Sequence, residues 1–236
     1  MKTLRLVCVC LLLLSGAAYA EDLWDKESKA WERKDADKIL NSSPWGKKIP
    51  TNVSWVKDEN KQVERSSRVN DNDRGDIKEG DYAMVWWWSA RTPRRAFMRI
   101  YELSGGKVSK ESADEFSETK AEAYLVSVMG GGQMVSVSGK LEPEELKKAA
   151  WLHSPRLDRK IEPAQVQVVM AGGKPDRILF MFPKEVDGKP LITDEDKRVL
   201  FRFKLPKSAK EGIDDAKQFE AAFEPKKMIA RGEADY

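Results

Sequence analysis

Residues 83–88, Ala-Met-Val-Trp-Trp-Trp, constrain the fold more than any other stretch of the chain. Strand side chains alternate between two faces, and here neither alternating set is polar. Such a strand has to be covered on both sides. Thr92-Pro93 follows as a helix start, with a hydroxyl at the N-cap and proline at the first helical position. Beyond it Ala96, Phe97, Ile100 and Leu103 share one helical face, and Arg94, Arg95 and Arg99 share the opposite, solvated face. A buried strand feeding an amphipathic helix is a folding nucleus. It carries no catalytic signature.

The flanking segments read in the same way. Residues 21–41 are strongly charged with a sparse apolar stripe of Trp24, Trp31 and Ile39, which predicts a helix ended at Ser43-Pro44. Residues 21–50 are thus expected to form an N-terminal helical arm packed loosely on a domain spanning 51–236, with a packed turn at residues 43–46. Residues 51–56 place Val53 and Trp55 on one side, as a half-buried strand does. Residues 57–81 are almost wholly polar and read as a mobile loop. After a break at Gly105-Gly106 comes a short helix over 113–121, then strands at 123–129 and 133–138 joined as a hairpin by Gly130-Gly131-Gly132. A helix is expected over 143–152. Strands follow at 164–170 and 177–182, joined by a Gly172-Gly173-Lys174-Pro175-Asp176 turn, with another turn at Asp187-Gly188 and a brief helical turn at 193–196. Residues 199–205 alternate as a strand with one wetter face, and 218–223 read as the last strand, although Phe219 and Phe223 also fit helical spacing. The sum is an α+β fold: a mostly antiparallel sheet with a few packed helices, in a single domain.

The first twenty residues carry an export signal. Lys2 and Arg5 precede an apolar core over residues 6–14, too short to span a bilayer, and Ala18-Tyr19-Ala20 is a small-x-small cleavage site. Cleavage after Ala20 starts the mature chain at Glu21 and places it in the periplasm or outside the cell. Cys8 and Cys10 leave with the signal, so the mature chain has no disulfide, thiol nucleophile or cysteine metal site. Nothing later approaches the ~20 apolar residues of a membrane span. Lys and Arg number 42 against 39 Asp and Glu, a balance that gives no reason to expect nucleic acid as the partner.

Chemical motifs are sparse. His153 is the single histidine, and no serine sits in a nucleophile elbow that would make a triad with it. One histidine cannot supply a zinc site. Asn70-Asp71-Asn72-Asp73-Arg74-Gly75-Asp76-Ile77 has the outline of a calcium loop, but Arg74 stands where an oxygen ligand is required. Gly130-Gly131-Gly132 lacks the Lys-Ser/Thr of a phosphate loop. No metal, cofactor or catalytic residue is assigned. Tryptophan and arginine remain: Trp86 and Trp88 as stacking surfaces, with Arg91, Arg94, Arg95 and Arg99 as anion-holding forks, form the candidate ligand site. The competing reading puts the indoles in the core and the arginines on the surface.

Three segments carry a likeness: Ile39-Leu40-Asn41 running to Ser43-Pro44-Trp45, Trp87-Trp88-Ser89-Ala90 leading into the arginine-bearing helix, and Phe223-Glu224-Pro225-Lys226-Lys227-Met228. In these the chain resembles a group of uncharacterised exported bacterial proteins, a resemblance that implies no activity. Export, a large mixed core and no catalytic constellation favour a non-enzymatic module of the cell envelope that binds another envelope protein or a polysaccharide. The alternative is a hydrolase acting on polysaccharide through carboxylates that no motif marks.

Overall fold

The computed structural model describes residues 22–51, 82–206, 208 and 210–236. Two antiparallel sheets carry the fold. The first has the order β1-β2-β3-β7-β6, from Gly46–Pro50, Tyr82–Trp87, Tyr124–Gly130, Lys174–Phe182 and Gln165–Ala171. The second has the order β11-β10-β4-β5, from Gln218–Phe223, Val199–Lys204, Ala150–Ser154 and Arg159–Ile161. Two-residue strands β8 with β9 (Glu185–Val186, Lys189–Pro190) and β12 with β13 (Ile229–Ala230, Glu233–Ala234) add short hairpins. The helices are α1 (Arg33–Ser42), α2 (Arg91–Leu103), α3 (Lys110–Glu118), α4 (Met134–Ser138) and α5 (Pro143–Lys148). This is the α+β, mostly antiparallel arrangement that the sequence predicts.

The tryptophan run sets the layering. Ala83, Val85 and Trp87 point to one side of β2, where they join Tyr124, Val126, Phe180 and Phe182 of the same sheet and Leu152, Phe201, Phe203 and Phe223 of the other. Met84, Trp86 and Trp88 join the opposite cluster with Trp31, Ala36, Ile39 and Leu40 from the N-terminal segment and Ala96, Phe97 and Ile100 from α2. The molecule is therefore stacked as helices, sheet and sheet, with the first sheet covered on both faces. Rings tie the two sheets together: Trp87 lies 5.1 Å from Phe223 and Phe180 lies 5.6 Å from Phe201. Such edge and tilted contacts add to the burial of the rings themselves.

Several expectations need correction. Residues 22–41 are not one helix; two 3-10 turns, Leu23–Asp25 and Ser28–Ala30, precede α1. Nor is the segment a loose arm. Trp31 and Ile39 are fully buried, and β1 belongs to the first sheet, so the apolar stripe is core. Residues 134–138 form α4, with Gln133 as its N-cap, instead of a hairpin strand, because all three glycines before it take positive φ and turn the chain away from the ladder. The helix at 143 stops at Lys148, and Ala150 and Leu152 are inward residues of β4. Residues 193–196 form a turn in which the Asp196 carboxylate accepts from the Thr193 amide at 2.8 Å. The β6–β7 turn forms as expected, tightened to Gly172-Gly173 with φ of 56° and 76°, conformations that glycine adopts freely. The strand expected at 51–56 and the polar loop at 57–81 fall almost wholly outside the described residues.

Tyr124 ends the first sheet beneath Tyr236, with ring centroids 6.3 Å apart. Burial, with Tyr236 and Asp196 adding, pushes its phenol from 10 up to about 12. A folded-state pKa above the unfolded one stabilises the protein fully below pH 10, and this contribution is lost as pH rises through about 12. Alkaline titration of the melting temperature should therefore show a fall over that window that is weaker in Tyr124→Phe. An identical fall in the variant would assign it to other groups.

Candidate functional site

The six residues of the predicted ligand site are together, and none of them offers an open face. Trp86 and Trp88 are buried, the first donating its indole N–H to Leu40 O at 2.7 Å. Trp88 packs against Phe97 and Phe116, with the Arg177 guanidinium 5.3 Å over its ring. A sugar platform needs an exposed indole, and these rings sit in the helix–sheet layer.

The arginines are not on a solvated helix face, because α2 is flanked by α1, α3 and the C-terminal tail. Arg94 is only 8% exposed and donates to four carbonyls, those of Ala90, Phe116, Ser89 and Thr119. It thereby satisfies the carbonyls that the end of α3 leaves without partners. Arg95, 7% exposed, forms a two-pronged pair with Glu118. That hydrogen bond holds the Glu118 carboxyl below its ordinary value. Arg99 donates to Trp31 O at 2.9 Å. Arg91 reaches Asp235 at 3.4 Å and Glu233 at 3.1 Å. Thr92 is inside the helix, not its N-cap; Asp235, far along the chain, accepts from the amides of Arg91 and Thr92 at 2.8 and 2.9 Å. Four cations that looked available in sequence are fastening one helix to three other segments.

The remaining sequence candidates are dispersed. His153 is a half-buried residue of β4, opposite Leu200 and Lys160. Among the described residues no group of three His, Cys, Asp or Glu is placed to hold a metal. The calcium-like stretch at residues 70–77 lies outside the described residues.

Among the described residues an opening with room for a ligand lies elsewhere, at the edge where β1 of the first sheet comes against β11 of the second. β1 is the last strand of the first sheet and β11 the last of the second, and among the described residues neither has a ladder partner on its outer side. Between them is a cleft of about 1000 Å³, within the range that binding clefts occupy. Lys47 and Lys48 come from β1, Glu220, Ala222 and Glu224 from β11 and the residue after it, and Lys197 and Arg198 from the approach to β10. The Lys47 Nζ is 3.2 Å from Ser43 O and 5.9 Å over the Phe223 ring, and burial pushes its ammonium below the usual lysine value. Lys48 lies 4.0 Å over Tyr82. Both carboxylates already hold cations from outside the cleft, Glu220 by Arg202 at 2.8 Å and Glu224 by Lys227 at 2.9 Å. The cleft is thus a slot whose lining cations, Lys47, Lys48, Lys197 and Arg198, outnumber its two carboxylates.

Sequence reasoning missed this site. Lys47-Lys48 precedes Lys197-Arg198 by 150 positions, and only the pairing of β1 and β11 into separate sheets brings them to one opening. No family model, curated protein or solved structure matches the chain.

Proposed function

We propose that the chain is an exported, non-enzymatic binding module of the cell envelope and that the slot between β1 and β11 receives its partner. The observation that carries this reading is the slot itself: about 1000 Å³, beside two strands that each have a ladder partner on one side only among the described residues, with its cations in excess of its carboxylates. The signal-like first twenty residues support export, and no described helix is long and apolar enough to cross a membrane. The resemblance to uncharacterised exported bacterial proteins points the same way. The buried tryptophans and arginines serve the fold, which leaves the slot as the place for recognition.

A photo-crosslinking side chain at Ala222, inside the slot, is compared in living cells with the same side chain at Gln167 on the far edge of the first sheet. The expected result is an adduct of one defined size from Ala222 and none from Gln167, on a protein whose mass begins at Glu21. A chain retaining Met1 would remove the export reading. Release of reducing ends when the purified protein meets envelope polysaccharide would replace the module with a hydrolase.

A further inference from the structure

We infer that a second, smaller cavity at the start of α2 holds a phosphate dianion, either as the free ion or as the end of a monoester. The cavity shares no residue with the slot, so this inference stands apart from the reading above. Its volume is about 30 Å³, room for a few atoms and not for a sugar ring or a strand. Ser89 and Arg91 line it from the β2–α2 connection, Lys120 from the segment between α3 and β3, Lys184 from beyond β7, and Asp235 and Tyr236 from the tail.

Charge carries the first half of the argument. Arg91 is already engaged, by Asp235 at 3.4 Å and Glu233 at 3.1 Å. Asp235 also accepts from the amides of Arg91 and Thr92, so the one acidic side chain in the lining is committed to the helix start. The two lysines have no such partner. Lys184 lies 5.8 Å over the Tyr124 ring, and among the described residues no carboxylate, the last residue's included, forms an ion pair with it or with Lys120. Cations brought from separate segments to one small opening repel each other until an anion joins them. Two unmatched ammoniums suit a dianion better than a single negative charge.

A buried hydroxyl supplies the second half, independently of charge. Ser89 is 6% exposed, and its Oγ has no hydrogen-bond partner. The backbone of the same residue is satisfied, its amide donating to Leu125 O and its carbonyl accepting from Arg94. Only the hydroxyl is left unmet, in a residue that lines the cavity. A hydroxyl buried in this way weighs against the fold unless something accepts from it. Phosphate has acceptor oxygens enough for the hydroxyl and for both ammoniums together.

The test uses the mature protein and inorganic phosphate, followed by titration calorimetry and thermal melts. Saturable binding at one site is expected, with a melting temperature that rises with phosphate concentration. Lys120→Gln combined with Lys184→Gln should weaken binding at least ten-fold and melt like wild type when phosphate is absent. Ser89→Ala separates binding from folding. Without phosphate it should be as stable as wild type or more so, because an unpartnered hydroxyl is removed, while its affinity for phosphate falls several-fold. Sulfate should compete and acetate should not. Glycerol phosphate distinguishes the sources: competition by it extends the site to an esterified group, and its exclusion restricts the site to the free ion, each with the dianion retained. Absence of saturable binding would overturn the inference, as would acetate competing as well as sulfate or unchanged affinity in the lysine double variant.

Discussion

Trp87→Ala is expected to lower the melting temperature by about 6–20 °C, since a buried tryptophan truncated to alanine costs about 3–5 kcal/mol and a domain of this size loses about 2–4 °C for each. Trp87 has no exposed surface and stands where the two sheets meet, 5.6 Å from Tyr124 and 5.1 Å from Phe223. Its removal leaves a cavity between layers that are each fixed by their own ladders, so little collapse can refill it. The loss is a large part of the ~5–15 kcal/mol that holds a typical domain together. Trp87→Phe should fall between the two. It keeps most of the burial and removes an indole N–H that is buried without a partner, which returns part of the loss. A thermal melt of Trp87→Ala that overlays wild type would mean that the sheets do not pack at this residue.

That stretch also explains how far the sequence could be read. Alternation within residues 83–88 identifies a strand covered twice, and a sheet with two covered faces already implies three layers. The β6–β7 hairpin was legible for a local reason, because Gly172-Gly173 begins the turn, β6 carries three valines and β7 carries an isoleucine and two phenylalanines. Failures came where a distant partner decides. Residues 133–138, Gln-Met-Val-Ser-Val-Ser, have strand-like composition, yet positive φ at the preceding glycines directs them into α4, where Met134 and Val135 enter the inter-sheet core. Arg94 and Arg95 sit opposite the apolar residues of α2, as a single helix in water would place them. Nothing near them announces that Glu118 and the carbonyls of Phe116 and Thr119 will close over that side. The slot is the extreme case, for its two walls belong to different sheets and its cations come from unconnected segments.

Asp235→Ala is expected to cost about 2–4 kcal/mol, through one buried and one part-buried amide left without an acceptor and the loss of a carboxylate at a helix N-terminus. The first amides of a helix have no partner within it. In α2 those of Arg91 and Thr92 are met by the two oxygens of Asp235, a residue 4% exposed, and the hydroxyl of Thr92 contributes nothing. The same residue accepts from Trp45 through its carbonyl and donates its own amide to Met228, so the carboxylate is held in place by the backbone on either side. Because the cap arrives from more than 140 positions away, it also ties the C-terminal tail to the helix layer. Glu233→Ala is the matched control: its pair with Arg91 is largely exposed, and such pairs contribute under ~1 kcal/mol. Urea unfolding separates the two, and hydrogen exchange at the Arg91 and Thr92 amides should accelerate in Asp235→Ala alone. Asp235→Asn, which keeps one acceptor oxygen and loses the charge, should recover part of the difference. If Asp235→Ala and Glu233→Ala unfold at the same urea concentration, the start of α2 is held by something other than this carboxylate.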